Sequence, residues 1–232
     1  MLRFICLVGL MGALIASQPA PKALAAGENT MKSGTIIPLP QPRKAGSVSL
    51  EETLSERRSV REFLKEPISL AEVSQLLWAA QGITHGDGLR TAPSAGALYP
   101  LELYLVAANV QGLAAGIYRY VPHQHQLHFI RSGDFRADVA EAALDQDWLE
   151  DSAVLLIFGA AEERTARKYG NRAPGYVHME VGHAAQNVLL QAVALGLAGT
   201  PVGAFDDDRL GRAIGMPSHE QALYIVPIGK PR

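Results

Sequence analysis

The 232-residue chain balances 21 Lys and Arg against 23 Asp and Glu for a formal net charge of −2, and its charged share of 19 % lies below the roughly 25 % of soluble domains. That balance excludes a basic nucleic-acid-binding protein and an acidic disordered one. The length allows one full-sized domain or two small ones at about 100 to 200 residues each. The single cysteine, Cys6, falls in a segment read below as a leader, so the mature chain has no disulfide framework, thiol nucleophile or thiolate zinc site.

Residues 1–25 read as a signal peptide: Arg3 precedes the charge-free run Phe4–Ala16, and a small-x-small ending closes at Ala25. As a helix that run spans about 20 Å, short of the roughly 30 Å of bilayer hydrocarbon. The expected product is an exported, periplasmic domain; a membrane-anchored chain with an uncleaved N-terminus is the alternative. Residues 26–48, with Pro38, Pro40 and Pro42 and little periodicity, read as an arm or linker to one domain over 49–232.

Ser49 with Glu52 and Ser69 with Glu72 have capping-box spacing. The first predicts a short helix running into Arg57. The second predicts an amphipathic helix to Gly82 on Leu70, Val73, Leu76, Leu77 and Ala80. Residues 83–97 form a Gly-rich loop. Strands are expected over 101–107, 116–121 and 126–130, joined as a meander, and over 153–159, whose continuous apolarity predicts a central position. Helices follow at 134–144, at 177–198 with a broad apolar face, and from an Asp206 cap to Ile214, before a last strand over 222–228. The connections between strands 101–130 are too short for parallel crossovers, so the class is α+β without internal repeats.

Four clusters carry chemistry. Arg57-Arg58-Ser59-Val60-Arg61 offers forked cationic donors and a hydroxyl suited to phosphate; it also reads as a solvated turn paired with Glu56 and Glu62. Pro93-Ser94-Ala95-Gly96-Ala97 lets a flat ligand approach backbone closely. Its Ala-x-Ser-x-Gly pattern imitates a nucleophile elbow with His183 or His219 downstream, so a serine hydrolase using Ser94 is an alternative. Lys168-Tyr169 is a candidate proton-transfer pair, and Gly203-Ala204 offers free backbone N–H groups. His178 and His183, five apart on a helix, cannot share a metal; His183 is expected in a core or an interface, and His123, His125 and His128 as a surface cluster beside a hairpin. Neither a Rossmann fingerprint nor a P-loop is present.

Taken in order, R-R-S-V-R at 57–61, V-S-Q-L-L-W-A-A-Q-G at 73–82, P-S-A-G-A-L-Y-P at 93–100, G-I-Y-R-Y at 116–120, E-V-G-H-A-A-Q-N at 180–187 and P-V-G-A-F-D at 201–206 resemble the nitroreductase superfamily, and within it the azoline dehydrogenase branch. The resemblance covers residues 36–232. It implies a mostly antiparallel sheet flanked by helices (α-β-α) in a homodimer with FMN at the subunit interface. It implies that Arg57 and Ser59, beside Arg58, hold the FMN phosphate and ribityl end, helped by Lys230 or Arg232, with Arg61 near the pyrimidine edge. Pro93, Ser94, Ala95 and Ala97 would come from the partner subunit, Gly203 and Ala204 would face the ring, and Lys168 and Tyr169 would assist proton removal. The implied function is hydride transfer between FMN and a small organic substrate, with a nicotinamide or other electron donor and no nucleic acid or metal. A non-catalytic flavin- or ligand-binding protein is a further alternative on the same fold.

Overall fold

The computed structural model describes residues 31–232; the leader over 1–25 and the start of the arm lie outside the described residues. In chain order the elements are β1 (Ile36–Pro38), α1 (Leu50–Glu56), β2 (Phe63–Leu64), β3 (Ile68–Ser69), α2 (Leu70–Gln81), β4 (Leu101–Ala107), β5 (Val110–Gln111), β6 (Gly116–Val121), β7 (Gln126–Ser132), α3 (Arg136–Ala142), β8 (Val154–Ala160), α4 (Glu163–Tyr169), α5 (Ala173–Ala194), β9 (Ala198–Gly199), α6 (Asp207–Ile214) and β10 (Gln221–Pro231). Short 3-10 turns occupy Ala95–Ala97, Asp147–Asp151 and Gly170–Arg172.

The main sheet runs β1-β7-β6-β4-β8-β10-β2, with β9 also paired to β10, and its ladders are antiparallel. Among the described residues only the small β3–β5 pair is a parallel ladder. The predicted meander is β4-β6-β7. The apolar run expected at the centre is β8, flanked by β4 and β10 and buried at every residue. Because side chains alternate across a strand, Leu156 and Phe158 pack with α2 and α5, while Leu155 and Ile157 pack with α3 and α6. That gives helices on both faces.

The capping box at Ser69 is complete, its hydroxyl accepting from the Glu72 N–H while the Glu72 carboxylate accepts from the Ser69 N–H. At Ser49 the hydroxyl accepts from the Glu52 N–H. Within the segment expected as an arm, Ile36–Pro38 adds an edge strand to β7. His125 helps fix it there: its ring lies 2.7 Å from Ser74 Oγ, 2.8 Å from Tyr120 Oη and 3.0 Å from the Pro40 carbonyl. His125 is half-buried at the hairpin, burial lowers its pKa, and its bonds hold three segments together. His183 differs from a core histidine: it is exposed on α5, one turn beyond the buried Glu180.

Candidate functional site

The chemistry-bearing residues fall into two groups. The first forms where α1 ends. The Arg57 N–H closes α1 onto the Thr53 carbonyl at 3.1 Å, and the chain then extends. Ser59 bridges Gly199 in parallel, with the Val60 N–H donating to the Gly199 carbonyl at 3.2 Å. Gly199 is squeezed between this segment and β10, and a Cβ there would lie 2.4 Å from the Pro227 carbonyl oxygen. Nothing larger fits without moving backbone. β10 runs on until Pro231 pairs with Phe63, and the Arg232 N–H donates to the Glu62 carbonyl at 3.2 Å. Sheet pairing thus brings the basic tail to the arginine cluster.

A cavity of about 330 Å³ opens here, with Arg57, Arg58 and Val60 facing Leu189, Leu197 and Pro231. Among the described residues Arg57 and Arg61 are in no ion pair. Several basic side chains here have other contacts. Arg58 donates to the Ser55 and Arg57 carbonyls at 2.7 and 2.8 Å, capping α1. Lys230 Nζ pairs with Glu66 at 2.7 Å. The Arg61 guanidinium stands 5.7 Å from the Trp148 ring centroid. Gly203 and Ala204 are exposed, and their turn is held by Gln146, which donates to the Ala204 carbonyl at 3.0 Å.

The second group is the loop between α2 and β4. Several bonds hold it down. Thr91 Oγ1 donates to the Trp78 carbonyl at 3.1 Å, Arg90 to Gln81 Oε1 at 2.7 Å, and the Tyr99 N–H to Ser94 Oγ at 2.9 Å. Arg164, on α4, donates to the Tyr99 carbonyl at 3.0 Å. Gly96 has φ +64°, and the non-glycine residues Ala97 and Tyr99 also take left-handed backbone at φ +52° and +48°, a local strain that surrounding structure must hold. Pro93, Gly96 and Ala97 are exposed and Ala95 is half-buried. The loop meets the end of α4: a Cβ on Gly96 would lie 2.8 Å from Tyr169 Oη and 2.9 Å from Lys168 Nζ. Tyr169 stacks edge-on against Tyr176 at 5.1 Å. Ser94 has extended backbone before a 3-10 turn; it is not on a strand-to-helix elbow, and no histidine bonds its hydroxyl among the described residues.

Sequence reading missed what lies beneath this loop. Glu180 projects from the apolar face of α5 and is only 2 % exposed; burial raises its pKa from 4.5 to about 7, opposed by the Ser94 hydroxyl and the Arg90 guanidinium. Glu180 Oε1, Arg90 Nε and Gln81 Nε2 are buried without a partner, each worth about 1 to 3 kcal/mol against the fold. The available signal was a carboxylate three residues after Val177 and four before Ala184, inside an apolar stripe. A native pKa above the unfolded value means that the native state binds the extra proton, so this group's contribution to stability declines as pH rises from about 4.5 to 7. Glu180→Gln is therefore expected to stabilise the protein by about 3 kcal/mol at pH 8 and by little at pH 4. Urea unfolding at the two pH values checks it; equal effects at both would refute the assignment.

The two groups occupy opposite ends of the sheet. The loop feeds Leu101, which pairs with Ala160, whereas Gly199 pairs with Ile228, which pairs with Val154. The length of β8 separates those levels, about 20 Å at 3.3 Å per residue.

Against known proteins, residues 54–230 match the model of the Nitroreductase family. A Methanocaldococcus jannaschii protein assigned by name to the nitroreductases is 43 % identical over 183 residues, covering 79 % of this chain and 91 % of that one. The microcin B17-processing protein of Escherichia coli is 26 % identical over 168 residues, 70 % of this chain and 62 % of that one. The solved structure of a Ralstonia eutropha protein, also titled a nitroreductase, superposes with a TM-score of 0.77 at 28 % identity, covering 88 % of this chain and 93 % of that one.

Proposed function

Because this chain belongs to the nitroreductase family, with the resemblance to azoline-forming relatives noted above, we propose that it is an exported, FMN-dependent oxidoreductase that acts on a small organic substrate as a homodimer. Membership makes it an oxidoreductase of that fold; the cofactor, assembly, substrate and export are the proposal.

The residues fit FMN. Arg57 has no competing carboxylate, Ser59 adds an exposed hydroxyl, and the cavity beside them has an apolar wall. This donor set matches a phosphate joined to a flat ring. In this reading Arg57 and Ser59 hold the phosphate end, with Arg232 or Lys230 assisting, and Arg61 supplies positive charge at the ring edge, where negative charge gathers on reduction. Gly203 and Ala204 present N–H groups that no backbone carbonyl takes among the described residues. When bound, FMN supplies a ring that accepts and returns hydride. Lys168 or Tyr169 holds or moves the substrate's proton, and the small residues at 93–97 exclude water and admit a planar substrate.

The observation that carries this reading is the separation along β8. One chain's arginine cluster and its loop are about 20 Å apart, so a second copy is needed to set a loop against each phosphate end. On α5, Gly175, Met179, Gly182 and Gln186 are exposed at spacings of three and four, and a Cβ on either glycine would meet nothing. That open stripe suits a close helix contact with the second copy. Export rests on the sequence of residues 1–25.

Purified protein is expected to bind FMN, turn yellow and bleach when a nicotinamide donor is added. Arg57→Ala should weaken FMN binding about 10- to 100-fold, since a hydrogen bond to a charged group contributes about 1.5 to 3 kcal/mol. Flavin titration measures both. A preparation that takes up no FMN, or an Arg57→Ala protein with unchanged affinity, would overturn the reading.

A further inference from the structure

The segment that follows α3 has no part in the reading above, yet it touches both the turn and the arginine assigned to the flavin ring. We infer that Gln146 is the positioning residue that presets the 203–205 turn for the ring, by holding the Ala204 carbonyl so that the turn's N–H groups are left for the ligand. The inference rests on the FMN reading of the site.

Just past α3, Leu144 and Asp145 take left-handed backbone at φ +60° and +57°, two successive non-glycine residues in a region that side chains disfavour. Such a turn persists only where its neighbours over-determine it. Here the backbone of Gln146 is fixed on both sides: its N–H donates to the Ala140 carbonyl at 3.3 Å, and its carbonyl accepts from the Leu149 N–H at 3.0 Å. The side chain then reaches across. Gln146 Nε2 donates to the Ala143 carbonyl at 2.7 Å and to the Ala204 carbonyl at 3.0 Å. Both partners are acceptors, so the amide nitrogen and not its oxygen must face them, and both N–H bonds of one carboxamide are used.

The turn it grips is anchored at each end. Val202 exchanges backbone bonds with Ile225 of β10 at 2.8 and 3.0 Å, and the Asp206 N–H donates to the Ala142 carbonyl at 2.8 Å. Between these anchors the N–H groups of Gly203, Ala204 and Phe205 have no backbone acceptor among the described residues. The Ala204 carbonyl and the Phe205 N–H belong to one planar trans peptide and point in opposite directions, so a carbonyl held toward Gln146 turns that N–H away from it. A donor fixed and unpaired in this way is ready for negative charge that develops later. Trp148, two residues on, faces the Arg61 guanidinium at 5.7 Å, so the same segment also reaches the cation assigned to the ring edge.

The test uses two readouts on the full chain. In FMN-free protein, hydrogen exchange at the Asp206 amide reports the turn. Gln146→Met, similar in size but without N–H donors, should lose protection there about tenfold while β8 amides stay protected. Gln146→Lys, which restores donors on a side chain of similar reach, should keep it. In FMN-loaded protein, donors that strengthen as negative charge gathers on the ring favour the reduced flavin. Gln146→Met should therefore weaken reduced FMN about tenfold more than oxidised FMN, which makes the midpoint potential about 30 mV more negative. A merely structural side chain would lower both affinities alike and leave the potential unmoved. Unchanged Asp206 protection or an unchanged potential in Gln146→Met, or lost protection in Gln146→Lys, would each overturn the inference while wild-type FMN binding stands. Should β8 protection also fall in Gln146→Met, the lysine variant decides alone. A wild type that takes up no FMN would instead overturn the cofactor reading, and the positioning role with it.

Discussion

Replacing Arg119 by alanine is expected to lower the unfolding free energy by about 3 to 5 kcal/mol, the cost of leaving a buried charge without its partner. Arg119, on β6, lies 2.7 Å from Glu102 and 3.0 Å from Glu220, whose side chain is fully buried. Tyr104 Oη donates to the other Glu220 oxygen at 2.6 Å, and burial together with that bond raises the tyrosine pKa. Burial also works against the charge of Arg119, but the bond and charges of Glu102 and Glu220 outweigh it and hold its pKa above the usual value. Without the guanidinium, the buried Glu220 carboxylate keeps the neutral Tyr104 hydroxyl at 2.6 Å and the exposed His219 ring at 3.6 Å. In a domain of this size about 3 kcal/mol corresponds to a melting point lower by roughly 6 to 12 °C. Calorimetry should show it, and a loss below about 1 kcal/mol would mean that the pair contributes no more than surface ion pairs do. The effect should extend to the candidate site, because Glu102 also pairs with Arg164, which ties α4 to the Tyr99 carbonyl.

Gly96→Ala is expected to reduce turnover about 100-fold with little loss of folded protein. The added methyl would meet the ends of two side chains, Tyr169 Oη at 2.8 Å and Lys168 Nζ at 2.9 Å. Side-chain ends swing away more readily than backbone, so the fold survives while both groups leave their places. A displacement near 1 Å at reacting groups costs on the order of 100-fold in rate. The left-handed backbone at φ +64° adds about 1 kcal/mol of strain for a residue with a Cβ. Steady-state reduction of a nitroaromatic probe by a nicotinamide donor measures the first effect, and thermal unfolding the second. Wild-type kcat in a folded, flavin-loaded variant would remove Lys168 and Tyr169 from the chemistry.

Most elements were legible before the structure because each rests on a local signal. Ser69 and Glu72 mark where α2 begins, the apolar run at 153–159 marks a central strand, found one residue later at 154–160, and Asp206 marks the start of α6. The strand Ile36–Pro38 was not legible: a proline-rich edge of three residues has no period to read, and it pairs only because β7 offers a free edge and His125 bonds the carbonyl beyond it. For the site, the sequence supplied residue types with a chemical purpose but not their grouping. Arg57–Arg61 and the tail from Lys230 are far apart in the chain, and it is the ladder of β10 with β2 that joins them. Glu180 was the largest omission, since its helical position predicts burial while its charge predicts solvent.

The sequence by itself determined the periodicities, the caps, the central strand and the order of motifs that marks the family, because these depend on neighbours within a few residues. Tertiary structure alone decided that Gly96 meets Lys168 and Tyr169, that Glu180 lies beneath Ser94, and that the arginine cluster and the loop take opposite ends of β8. Those outcomes follow from strand register and from burying both faces of one sheet, which bring together residues far apart in the chain and leave no local trace.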